Sequence, residues 1–400
     1  MKSNVYSVKE LVELNILDKP LDGNHGGIHP KGDDFKKEGI PFIMASDIKN
    51  GELDLVNCKF ITYEQAELLK KGKAKENDVL ITHKATIGRT AIVPPIPYPY
   101  IVLSPQVTYY RILKNDVLSP YYLYTYFNSL HFQSLINTWA GGGFTRLYIG
   151  VTAQLKLPIE VPNIHEQKKM TKILTYLDKK ITLNNSVVKN LEEISQTFFK
   201  HWFTNFEFPN EQGEPYKSSG GEMVESELGE IPKGWNIEKL SNVCEVKDGT
   251  HDSPKQVEHG YPLVTSKHLR NHEIDFSTTK LISEEDFIKV NKRSLVETQD
   301  ILISMIGTVG RLYFVQGENI NYAIKNIGLI KSSQTDIAEY IYMYFKSPFM
   351  INHIKERMTG STQQYISLTE LRKIPVILPK EDILSRYSAL IKPNFDMIFS

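Results

Sequence analysis

The residues of this chain whose types could do chemistry are mostly polar, and many of them come in matching pairs. Asp22-Gly23-Asn24-His25 is echoed by Asp248-Gly249-Thr250-His251, and Thr86-Ile87-Gly88-Arg89 by Thr308-Val309-Gly310-Arg311. The second copy adds Lys255 to its first loop, Ser266, Lys267, His268 and Arg270 after an expected strand, and Gln363 and Gln364 beside Tyr365. The first copy adds Lys84 and Arg146. Such side chains suit hydrogen-bonded recognition of a phosphate-linked, base-bearing polymer. Arginine and lysine match phosphates and guanine edges, amides match adenine, and a threonine methyl can meet thymine. The candidate DNA-contacting residues on this chemistry are Lys84, Thr86, Arg89, Arg146, Thr250, His251, Lys255, Ser266, Lys267, His268, Arg270, Thr308, Arg311, Gln363 and Gln364. A scaffold reading stands beside each. The Gly-Arg turns are also what hairpins need, and Asp22, Asp248, His25 and His251 can close their own loops by turn hydrogen bonds. The tyrosine runs 121–126 and 340–344 fit a helical core better than base stacking.

Signatures of catalysis are missing. No Gly-rich loop runs into Lys-Ser or Lys-Thr, and Gly141-Gly142-Gly143-Phe144 is not set between a strand and a helix in dinucleotide-binding form. Pro94-Pro95-Ile96 lacks the polar residue of an adenine-methylating tetrapeptide, and neither HExxH nor Gly-x-Ser-x-Gly occurs. One repeated histidine per copy builds no metal site by itself. The expectation is no catalytic residue, no metal and no cofactor in this chain. Cys58 and Cys244 have no CxxC partner, which excludes a zinc ribbon and fits a reducing compartment. The N-terminus has no signal-peptide core and no apolar run reaches membrane-spanning length, so a cytoplasmic location is expected. The 47 basic and 47 acidic residues balance. That excludes a uniformly basic nucleic-acid binder but allows a basic face set against others.

The pairs imply a duplication. Gly39-Ile40-Pro41-Phe42-Ile43 matches Gly260-Tyr261-Pro262-Leu263-Val264, 221 positions on, and Asp78-Val79-Leu80-Ile81 matches Asp300-Ile301-Leu302-Ile303. Tyr124-Thr125-Tyr126-Phe127 meets Tyr342-Met343-Tyr344-Phe345, and Lys156-Leu157-Pro158 meets Lys373-Ile374-Pro375. This period is too long for a solenoid, so each copy is a domain. Short β-rich runs broken by Gly, Pro and Asn, followed by aromatic-rich helical stretches, make each copy α+β.

Between the copies, residues 164–203 contain neither glycine nor proline, which predicts one long helix. Met170, Leu177, Asn184, Leu191 and Phe198 recur every seven residues, as do Leu174, Ile181, Val188, Ser195 and Trp202. That spacing is a coiled-coil seam, so a partner helix is expected. The expected division is a first recognition domain at 1–162, the spacer helix at 163–206 and a Gly/Pro/Ser/Glu-rich linker at 207–234. A second domain follows at 235–379, and 380–400 starts a second, truncated spacer helix that Pro393 interrupts.

Together, KDGTHDSPKQVEHGYPLVTSKHL, the DVLIT…TIGR and DILIS…GTVGR pairs, and GSTQQYISL before IPVILP resemble type I restriction-modification specificity subunits. The resemblance implies two tandem target-recognition domains reading the halves of a split site in double-stranded DNA, separated by a long coiled-coil spacer. It also implies two methylation subunits and restriction subunits as partners, which would carry S-adenosylmethionine, ATP and Mg, with no membrane association. The alternatives are a truncated half-subunit acting mainly as a coiled-coil assembly adaptor, or a self-contained DNA methyltransferase or nuclease.

Overall fold

The structure is a computed structural model and describes residues 4–140, 148–360 and 364–399. The chain divides into two compact units, residues 1–182 and 183–400.

The first unit holds two four-stranded sheets. One orders Lys59–Ile61, Ile40–Ile43, Ile101–Leu103 and Lys73–Ala74; the other orders Leu21–Asp22, Val107–Tyr110, Val79–Lys84 and Thr86–Ile92. Their runs of Ile, Val and Leu are buried throughout, as expected of short strands covered on both faces. The edge pair Asn4–Ser7 and Pro158–Val161 joins the start of the unit to its end.

The second unit repeats this plan except for the edge strand Lys73–Ala74, which has no counterpart in its sheets among the described residues. Val246–Asp248, Ile327–Ile330, Ile301–Ser304 and Leu312–Phe314 form one sheet, and Lys280–Ile282, Tyr261–Thr265 and Ala323–Lys325 the other. Even the parallel pairing recurs in register: Ile43 opposite Leu103 becomes Val264 opposite Ile324. Asn236–Lys239 pairs with Pro375–Leu378 as the closing pair.

The helical tyrosines tie each copy to its closing strand. In the first unit the Tyr122 and Tyr126 hydroxyls donate to the Glu160 and Pro158 carbonyls at 2.9 and 3.2 Å. In the second, Tyr340 and Tyr344 donate to the Ile377 and Pro375 carbonyls. A buried ion pair is also duplicated. Arg111 bonds Asp78 through Nε and Nη2 at 2.9 and 2.7 Å, and Lys331 reaches Asp300 at 2.6 Å.

The long helix forms over Ile164–Phe199 and continues into a π-helical turn at Lys200–Thr204. Its seam residues divide in two. Met170, Leu174, Leu177 and Ile181 are 41–58% exposed. Trp202, with Phe199 and Phe203 beside it, is buried among Tyr340, Tyr344 and Tyr387 of the second unit. Ser195 meets Asn394 of the last helix at 3.2 Å.

Two expectations need revision. Pro393 does not interrupt the last helix, which runs Glu381–Phe399 around it. Tyr387, Ile391, Phe395 and Ile398 are buried at helical spacing on both sides of the proline, and their packing outweighs one missing hydrogen bond. Residues 207–234, expected as a linker, carry short strands and bury Phe208 and Ile231 in the second unit's core, with Phe208 stacked on Tyr216 and Trp235.

Candidate nucleic-acid interface

The repeated polar residues lie at strand ends and in hairpins: Lys84, Thr86 and Arg89 sit within the paired strands Val79–Lys84 and Thr86–Ile92, and Thr308 and Arg311 in the turn before Leu312–Phe314. The backbone N–H of Arg89 donates to Thr82 Oγ1 at 3.0 Å, and that of Arg311 to Ser304 Oγ at 2.8 Å. Both side chains reach back to the loop after the parallel strand. Arg89 Nη1 lies 3.4 Å from the Ala45 and Ile48 carbonyls, and Arg311 Nη1 donates to the Leu269 carbonyl at 2.7 Å. One face of each guanidinium therefore braces the scaffold. Arg89 is exposed and Arg311 half-buried.

The loop after Tyr261–Thr265 is held from several sides. His268 is buried, its Nδ1 accepts the Thr265 N–H at 2.9 Å, and burial pulls its pKa down. It does the capping work that Asp47 does at the equivalent place, where the carboxylate accepts the Met44 N–H at 2.8 Å. The ring thus caps a turn and is not presented at the strand end. Arg270 is exposed but donates to the Lys267 carbonyl at 2.7 Å and to Asp275 at 2.8 Å. Lys267 is exposed. Ser266 Oγ donates to the Asn326 carbonyl at 3.2 Å. Gln364 and Thr308 are exposed, and the Gly307 N–H bonds the Gln364 carbonyl at 3.1 Å, which brings the Gly-Arg turn and the glutamine segment together.

The first polar loop forms a cluster in both units. Asp22 and Asp248 are buried. Asp22 accepts from His25 Nε2 at 2.7 Å and from Lys71; Asp248 accepts from His251 Nε2 at 2.8 Å and from Arg293. Burial raises the Asp22 carboxyl, but the Lys71 ammonium and His25 overcome it and hold the group below its ordinary value. In the second unit His251 Nδ1 also lies 2.9 Å from the Asn326 amide, and Thr250 Oγ1 accepts the Asp252 N–H at 3.1 Å. Lys84, Lys255 and His251 are exposed and Thr86 and Thr250 half-buried. Arg146 and Gln363 lie outside the described residues.

Sequence reasoning missed Lys71, Arg293 and Asn326. For the first two a signal existed, because Arg293 follows Lys71 by 222 positions, the offset at which Asp300 follows Asp78. Their different residue types hid it. Asn326 sits at φ +53°, a left-handed turn that asparagine tolerates better than most residues. Among the described residues no group of His, Cys, Asp and Glu could hold a metal ion, and no helix is long and apolar enough to cross a membrane.

Comparison with known proteins gives this architecture its class. The type I restriction modification DNA specificity domain matches twice, over residues 2–193 and 232–394, and the chain belongs to that family. Among individual proteins, it is 26% identical to the type I restriction enzyme MjaIX specificity subunit of Methanocaldococcus jannaschii, over 87% of this chain and 79% of that one. It is 21% identical to the HindI specificity subunit of Haemophilus influenzae, over 90% and 89%. The crystal structure of the S subunit from M. genitalium shares the fold with a TM-score of 0.59 at 12% identity, covering 100% of this chain and 90% of that one.

Proposed function

We propose that this chain is the DNA-reading subunit of a type I restriction-modification system, with each unit reading one half of a bipartite duplex site. One observation carries the reading. The DNA specificity domain matches both copies, and both carry their repeated polar residues on matching hairpins and strand ends. Balanced overall charge suits a chain whose partners share the DNA contacts. The chain itself performs no chemistry in this reading. Two methylation subunits supply S-adenosylmethionine-dependent adenine methylation, and restriction subunits supply ATP- and Mg-dependent translocation and cleavage, in the cytoplasm.

The long helix is the spacer, and its exposed residues Met170, Leu174, Leu177 and Ile181 are the half of a coiled-coil seam that awaits a partner helix. Equivalent positions on the last helix, Tyr387, Ile391 and Ile398, are buried. Matching of both copies weighs against the half-subunit alternative.

The test is methylome sequencing of cells that carry the methylation subunit with and without this chain. A split adenine-methylation motif should appear only with it. Replacing residues 235–379 with the second domain of a relative should change one half of that motif and leave the other intact. No motif, or a change in both halves, would overturn the reading.

A further inference from the structure

The cluster on the first polar loop is built twice from different parts. In each unit a buried aspartate gives one oxygen to a histidine three residues later and the other to a cation from a distant segment. The first unit delivers that cation, Lys71, from the turn after the helix Tyr63–Leu68; the second delivers Arg293 from the last turn of the helix Glu284–Ser294. Residue type and backbone have both changed, yet a cation still reaches the same carboxylate. The aspartate side chains are 7% and 6% exposed, whereas His25, His251 and Arg293 are 51–66% exposed and Lys71 35%.

A clamp needed only to close the loop would be served by a neutral, buried donor, and an ion pair whose cation is largely in solvent, as at Arg293, adds little to folding. What the arrangement does provide is orientation. The carboxylate takes one donor from each partner and fixes its direction, and further N–H groups of the lysine or arginine remain for a second acceptor. In the second unit Arg293 borders an open cleft of about 460 Å³ that is also lined by Lys289, Thr250, Ser253, Asp252 and Asp286. Cations with hydroxyls match a phosphodiester oxygen through charge-assisted hydrogen bonds. The carboxylates on the rim admit a single anion held at the cation and disfavour a run of them.

We propose that the two Asp–His–cation clusters are phosphate grips, Lys71 with His25 in the first unit and Arg293 with His251 in the second, each holding one backbone phosphate of its half-site. They set the register of each unit on the duplex and carry no base preference. The proposal rests on the DNA-reading function above.

The test is the salt dependence of duplex binding by the full chain with its methylation subunit, for the wild type and for Lys71→Gln/Arg293→Gln. Each phosphate contact contributes about 0.9 to the slope of log affinity against log salt, so the double variant should lose about 2 from that slope. Affinity should fall evenly across sequences with the methylated motif unchanged. Lys233→Gln, which breaks an exposed pair with Glu222, should leave the slope alone. An unchanged slope in a folded double variant overturns the proposal, and so does a motif that becomes degenerate at one position, which marks a base contact. If the double variant fails to fold, DNA protection of the wild type decides. Lys71 should become resistant to acetylation and Arg293 to phenylglyoxal when DNA is bound, and full reactivity of both would overturn the grips. A wild type that does not bind DNA at all refutes the DNA-reading function instead.

Discussion

Glu192 shows how a single charge can make the fold sensitive to acid. Its carboxylate faces His272 at 3.4 Å and Lys346 at 2.5 Å. The imidazole lowers it most, burial opposes and the ammonium assists, leaving its pKa at about 2. A carboxylate held below its unfolded value near 4.3 stabilises the fold above that pH, and the contribution is lost as pH falls toward about 2. Glu192→Gln should therefore lose about 3 kcal/mol at neutral pH. Its deficit against the wild type, read from urea midpoints, should shrink steadily between pH 4 and pH 2. At this scale the sequence was legible where both copies kept the same residue, as with Arg89 and Arg311. It was opaque where a role passed between types: Asp47 to His268, Arg111 to Lys331, Lys71 to Arg293. Hydrogen-bond geometry preserves a donor or acceptor at a point in space, and several side chains can supply it.

Among the elements, the long helix illustrates both the reach and the limit of periodicity. Heptad spacing identified its length and one apolar face, because a helix with no glycine or proline has few ways to stop. Spacing could not tell which part of the face was already covered. Phe199 and Phe203 lie off the predicted seam, yet they pack into the second unit's core, where the Phe203 ring sits 4.8 Å from both Tyr340 and Tyr387. Phe203→Ala should cost about 3–5 kcal/mol in urea unfolding. Leu177→Ala, at a 51% exposed position, should change the stability of the isolated chain by no more than about 0.5 kcal/mol. Its effect should appear in assembly with the methylation subunit, followed by size-exclusion chromatography. In the last helix, Pro393 supplies no N–H to the Ala389 carbonyl. Pro393→Ala should raise the stability of the second unit by about 1–3 kcal/mol, measured by thermal unfolding, because the surrounding residues already hold helical geometry.

For the molecule as a whole, internal repetition was the most informative property of the sequence. It implied two domains of one design, and strand order and parallel register repeat accordingly. The edge pairs that close each unit were not foreseen, since nothing local in Asn4–Ser7 names a partner about 150 residues away. That pairing bears on how the protein is made. At roughly 5–20 residues per second, the first strand of a nascent chain waits about 8–30 seconds before Pro158–Val161 has been synthesised, and longer before it clears the ribosome. Until then Tyr122 and Tyr126 lack the carbonyls they bond, and an unpaired edge stands open to neighbouring chains. A chain released at Leu155 should be digested readily by dilute protease, while one released at Thr182 should resist it; equal resistance would show that the unit matures without its last strand. Timing of translation is thus part of the folding problem this topology sets, and slow decoding just before codon 158 is where misassembly would begin.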